Sequence, residues 1–279
     1  MNNKTLLPHI AIIVLFCVSS SFALDTLGPP VAQLGQGQFS VGADYSYSNM
    51  DLTAKGRSIF TIDSTMWDGS IRYIYNTESL RLNGVDVQKI YTNFGYGITD
   101  NWEAFLRLGG ANAELKDDRD TNFALGFGSR LTLYKADRLQ VGAIAQFSWA
   151  RFNYDTVPLT SDFSGQVSST TSGRLSLQEI QIAIGPTYQF TKDIAIYGGP
   201  FFRFVDGELD LKGKPRVSWI SIPEIFYPQI RYLYDIDEIS ELGGYIGTRI
   251  DIAENISYSI EYQHTTAADA LGMGLIWKF

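Results

Sequence analysis

The last nine residues, Leu271-Gly-Met-Gly-Leu-Ile-Trp-Lys-Phe279, decide how the rest of the chain is read. Leu271, Met273, Leu275, Trp277 and Phe279 fall on every second position. Gly272, Gly274, Ile276 and Lys278 fall between them. Alternate residues of a strand face opposite sides, so this stretch carries one apolar, aromatic face and one mostly small or polar face. Taken alone, it reads as an amphipathic strand that stops on an aromatic ring.

The same alternation recurs upstream. Phe39, Val41, Ala43, Tyr45 and Tyr47 share one phase; so do Ile90, Thr92, Phe94, Tyr96 and Ile98. Similar sets follow at Ala104–Leu108, Phe123–Leu133, Leu139–Trp149, Ile180–Phe190, Ile194–Phe204, Leu242–Ile252 and Ile256–Tyr262. With the terminal strand this makes ten segments of period two. The charges within them are Asp44, Lys89, Glu103, Arg107, Arg130, Glu179, Arg203, Glu241, Arg249, Asp251, Glu261 and Lys278. All lie on the opposite phase from the apolar residues. A lipid-facing surface requires this, because a Lys or Arg at mid-membrane costs about 2–4 kcal/mol. A soluble β-sandwich would show the same segregation.

Connections separate the two. Four are short: Thr99-Asp-Asn101, Lys135-Ala-Asp137, Thr191-Lys-Asp193 and Ala253-Glu-Asn255. Asn and Asp suit tight hairpin turns. Three others are long, roughly 49–84, 153–176 and 207–238. Short turns at one end and long loops at the other are the asymmetry of a membrane barrel. Aromatic residues gather near both strand ends, as interfacial girdles would.

These features, with a chain ending in Phe279, resemble the bacterial outer-membrane β-barrel proteins. In that class a C-terminal Phe and the alternating apolar residues before it form the signal read by the barrel-assembly machinery. The resemblance implies that Leu271, Met273, Leu275, Trp277 and Phe279 act as a membrane-insertion signal. It also implies outer-membrane lipid as the surrounding partner. The expected fold is all-β: a transmembrane antiparallel up-and-down barrel of about ten strands. Two look-alike stretches, Ile71-Arg-Tyr-Ile-Tyr75 and Ile230-Arg-Tyr-Leu-Tyr234, either prolong strands above the membrane or form an extra hairpin, making twelve.

Residues 1–23 read as a secretory leader, with Lys4, the apolar run Ile10–Phe16 and Ser21-Phe-Ala23 before the cleavage point. Cleavage there removes Cys17, the one cysteine, so no disulfide is expected. Residues 24–38, with Gly28-Pro-Pro30, read as a short periplasmic lead-in, and 39–279 as the barrel. The expected location is the cell outer membrane. A net charge of −8 argues against a nucleic-acid partner.

The inward charges balance, six acidic against six basic, among many inward glycines and a few inward aromatics. Such a face fits a narrow lumen filled by its own side chains. A structural or surface-interaction role follows, with no cofactor and no metal. The alternative is a narrow, porin-like channel for small solutes or ions, its field set by facing Arg and Glu. A hydrolase at the outer rim is the third reading and would rest on His264. That residue lacks the His-x-Ser-Asn neighbourhood of lipid A deacylases and the Asp-x-His pairing of omptin proteases, and Asp269 is the one carboxylate near it in sequence. The loop stretch 216–227 is unusually apolar and reads as a partner surface or a lid.

Overall fold

A computed structural model describes residues 24–64, 69–114, 122–154, 159–160, 167–217 and 226–279. The expected leader lies outside these residues, as does most of the apolar stretch 216–227. The strands are β1 (Phe39–Ser64), β2 (Gly69–Thr99), β3 (Trp102–Glu114), β4 (Asn122–Lys135), β5 (Leu139–Tyr154), β6 (Leu159–Thr160), β7 (Val167–Gln189), β8 (Ile194–Val217), β9 (Phe226–Ala253), β10 (Ile256–His264) and β11 (Ala268–Lys278). The two-residue β6 only adds to the outer part of β7. The other ten form the barrel. Each pairs antiparallel with its neighbours in sequence, and β11 closes on β1.

Closure follows the alternation. Val41 faces Trp277, Tyr45 faces Met273 and Tyr47 faces Leu271, so apolar side chains meet on one face across the seam. Phe39 and Phe279 exchange backbone hydrogen bonds of 3.1 and 3.0 Å, and their rings stack. Closure leaves no edge strand at this level. The outer face is apolar at successive outward positions, with Leu242 70% and Ile246 59% exposed. A continuous belt of this kind is the surface a bilayer covers.

The long connections differ from expectation: most of their length is strand. About 9–11 residues suffice for a tilted strand to cross a bilayer. β10 and β11 have 9 and 11, but β2 has 31 and β9 has 28. Ile71–Tyr75 pairs with β1, and Ile230–Tyr234 pairs with both β8 and β1. Both look-alike stretches are therefore extensions, and the barrel has ten strands. The cause is the short β10–β11 hairpin. It ends where Thr265 N–H donates to the Ala268 carbonyl, leaving β1 and β9 with unpaired edges above it. These two strands pair directly from Ala54–Ile236 to Ser64–Phe226, satisfying backbone groups that a loop would leave to water. The result is a tall wall of β2, β1, β9, β8 and β7 on one side. Arg231 clasps Asp210 on this wall through two hydrogen bonds of 2.9 and 2.7 Å, which holds the Asp210 carboxyl below the usual carboxylate range.

Inside, the character of the inward residues changes with height. Along β8 they read Phe201, Arg203, Val205, Leu209 and Leu211, all buried. Above the charged layer Val205, Leu209 and Leu211 join Val87, Phe152, Leu175, Tyr234 and Ile236 in an apolar cluster at the outer end of the lumen.

Candidate functional site: the lumen and its mouths

Residues 24–38 were expected below the barrel. From Leu24 to Leu34 they run inside it instead. Leu24 and Leu27 are fully buried, and Asp25, Thr26, Val31 and Leu34 nearly so. The segment pairs with no strand, so its backbone groups must be met by side chains. Arg107 donates to the Thr26 carbonyl at 2.7 Å, and Arg130 to the Leu27 carbonyl at 3.1 Å. The N–H groups of Leu27 and Gly28 both donate to the Glu261 carboxylate, at 2.9 and 2.8 Å. Gly28 has φ +74°, a conformation glycine adopts without the Cβ penalty. Gln263 meets the Asp25 carbonyl, Thr132 the Ala32 N–H and Glu103 the Gln33 N–H. Pro29 and Pro30 bring no N–H to satisfy. Inward glycine makes room: a Cβ at Gly142 would stand 2.5 Å from the Pro30 carbonyl oxygen. Glycines that read as filler for a narrow barrel are in part the groove for this segment.

The charges form connected pairs. Lys89 lies 3.0 Å from Asp25 and 3.1 Å from Glu179. Glu179 is 2.9 Å from Arg203, which is 2% exposed, and Arg203 reaches Glu241 at 3.9 Å. Glu241 also accepts hydrogen bonds from the Thr265 and Thr266 hydroxyls. Arg107 pairs with Asp44 at 3.2 Å, and Arg130 with Glu103 at 2.7 Å. Both guanidiniums lie against the ring of Phe105, a cation–π arrangement. Arg249 pairs with Asp251 at 3.2 Å near the short-turn mouth, where Lys278 also faces inward. Among the described residues Glu261 meets no cation; amide N–H groups hold it instead. Nine of the charged residues singled out by phase are buried together with Asp25 of the N-terminal segment, while Arg249, Asp251 and Lys278 are partly exposed.

Sequence reasoning missed a belt of glutamines. Gln146 donates to Gln181 at 2.6 Å, Gln181 to Gln263 at 3.3 Å, and Arg107 to Gln146 at 3.0 Å. Each lies on the inward phase, which was the available signal. These side chains carry donors and acceptors together, so they link charged groups that lie too far apart to pair.

His264 and Asp269 lie directly opposite each other across the β10–β11 hairpin. His264 Nδ1 hydrogen-bonds Asp269 Oδ1, which also accepts from the Tyr262 hydroxyl at 2.7 Å. The trio sits at the outer rim on the exposed, convex face of the barrel. On the same outward phase lie the terminal residues Leu271, Met273, Leu275, Trp277 and Phe279, the last three well exposed.

No protein-family model and no curated protein matches the chain. Solved structures similar to it include the outer membrane protease OmpT from Escherichia coli, 10% identical with a TM-score of 0.41, covering 86% of this chain and 97% of that one. The translocator domain of autotransporter NalP from Neisseria meningitidis is 8% identical, TM-score 0.41, covering 88% and 90%. An outer-membrane channel from Pseudomonas putida F1 is 9% identical, TM-score 0.40, covering 92% and 100%.

Proposed function

We propose that this chain is an exported outer-membrane β-barrel, closed across its lumen, with a structural or surface-interaction role. One observation carries the reading: a single cluster of buried side chains runs through the lumen from Leu24 and Leu27 to Leu209 and Ile236. The segment Leu24–Leu34 and its charge partners fill the middle and lower part, and the apolar side chains occupy the outer end. The tall five-strand wall supports an outward-facing role, since it raises β-structure well beyond what a bilayer crossing needs.

Planar-bilayer recording of the refolded protein tests the reading. A silent membrane is expected. Discrete openings whose size changes in Arg107→Ala or Arg249→Ala would overturn it in favour of the narrow channel. That second reading draws on one fact: the N-terminal segment is held by side chains alone and by no strand pairing. The proposal also takes the protein as no enzyme. The His264–Asp269 pair lies on the convex, exposed face of the barrel.

The terminal strand is proposed as the insertion signal read by the barrel-assembly machinery. Phe279 also supplies the last closing pair with Phe39. Deleting Phe279 is expected to lower the folded, heat-modifiable fraction recovered from outer membranes several-fold. Unchanged recovery would remove the terminal-signal reading.

A further inference from the structure

Below the N-terminal segment, at the short-turn mouth, lies a polar cavity of about 210 Å³. Ala32 and Gln33 of the segment form part of its lining. Its walls carry Thr187, Arg249 and Lys278, and the β4–β5 turn contributes Arg138 and Asp137. We propose that this vestibule binds a small anion, a carboxylate or phosphate, entering from the short-turn side.

Charge gives the first argument. Three cations line the cavity against one lining carboxylate, Asp137. Arg249 is partly neutralised by Asp251 at 3.2 Å. Among the described residues, neither Lys278 nor Arg138 has a carboxylate at ion-pair distance. The rest of the lumen is different, because its buried cations are matched to carboxylates. An excess of positive charge in a recess with low-dielectric walls concentrates anions.

Unmet hydrogen-bonding capacity gives the second. Among the described residues, both side-chain polar atoms of Gln33 lack a partner, as does the hydroxyl of Thr187, a residue only 4% exposed. Polar groups buried at a cavity wall without partners call for an occupant. An amide and a hydroxyl can donate to the oxygens that the cations attract.

Size gives the third. One water needs about 10–15 Å³. Two cavities within the lumen, of about 30 and 10 Å³, hold no more than a water or two. The vestibule is several times larger and is the more polar. It goes beyond the closed-barrel reading, since a barrel that passes no current can still bind an anion at its mouth.

Calorimetric titration of the full-length barrel, refolded in an uncharged detergent at low ionic strength, tests this. Inorganic phosphate and succinate are the two probes, titrated separately. Saturable one-site binding of at least one is expected, and which one binds assigns the anion class. Lys278→Gln combined with Arg138→Gln should weaken it at least tenfold, while Asp137→Asn should tighten it. Heat-modifiable gel migration confirms that each variant is folded. Should the double variant fail to fold, the exposed-turn variants Arg138→Gln and Asp137→Asn carry the test, with opposite shifts expected. No saturable binding of either probe, or a folded double variant that binds like the wild type, would overturn the proposal.

Discussion

Replacing Glu179 by alanine is expected to destabilise the barrel by about 3–5 kcal/mol, the usual cost of removing one partner from a buried charge pair. Glu179 is the centre of the chain Asp25–Lys89–Glu179–Arg203–Glu241. Without it, Arg203 loses a carboxylate held at 2.9 Å, in a place nearly inaccessible to water. Lys89 keeps Asp25, so its loss is smaller. The favourable energy of the intact pair is modest, because desolvation opposes it; the cost arises from the charge left behind. Glu241→Ala should cost less, since two threonine hydroxyls also hold Glu241 and Arg203 retains Glu179. Urea unfolding of the refolded variants gives the comparison. In a double-mutant cycle, Glu179→Ala with Arg203→Ala should cost clearly less than the two single losses added together. Equal losses for Glu179→Ala and Glu241→Ala would show that the network is not centred on Glu179.

Deleting residues 24–34 should have an effect of similar size and a different signature. Arg107 and Arg130 would lose backbone carbonyls, Lys89 would lose Asp25, and Glu261 would lose two N–H donors. Water can enter from the short-turn mouth once the segment is gone, and it would solvate these groups. The loss should therefore stay within about 3–5 kcal/mol rather than reach the sum of the separate contacts. Accessibility provides the sharper readout. Cys17 is the one cysteine, and it lies in the proposed leader, so a single introduced thiol can be labelled cleanly. Ser148→Cys places it beside Lys89 in the lumen. The thiol should resist a polar maleimide in the full chain and react in the deletion variant. Current should remain absent in the deletion, because the apolar cluster around Phe152, Leu209 and Ile236 still occupies the outer end. Equal labelling with and without residues 24–34 would mean that the segment does not seal the lumen.

The two variants probe parts of the molecule that were unequally legible. Glu179, Lys89 and Arg203 were assigned to the lumen by phase alone. Residues 24–34 carry no alternation, and Gly28-Pro-Pro30 reads as linker, so nothing local marked them as lumen contents. The wall was legible only in part, at the look-alike stretches Ile71–Tyr75 and Ile230–Tyr234. Above the membrane the outward face no longer has to be apolar, so strands such as Gly207–Val217 lose the contrast that betrayed them lower down. The His264–Asp269 contact was within reach, because a hairpin turning at Thr265–Ala267 places these two residues opposite each other.

The sequence by itself determined the two-faced strands, the segregation of charge and the terminal strand that closes on Phe39. Those are properties of neighbours along one strand, where a period of two dictates the face. Only the tertiary structure decided which charges meet, what fills the lumen and how far the strands rise. Arg130 finds the Leu27 carbonyl and Glu261 finds the Leu27 N–H across separations of 103 and 234 residues. Such contacts are set by the curvature of ten closed strands and by the length of the β10–β11 hairpin, and no local pattern encodes either.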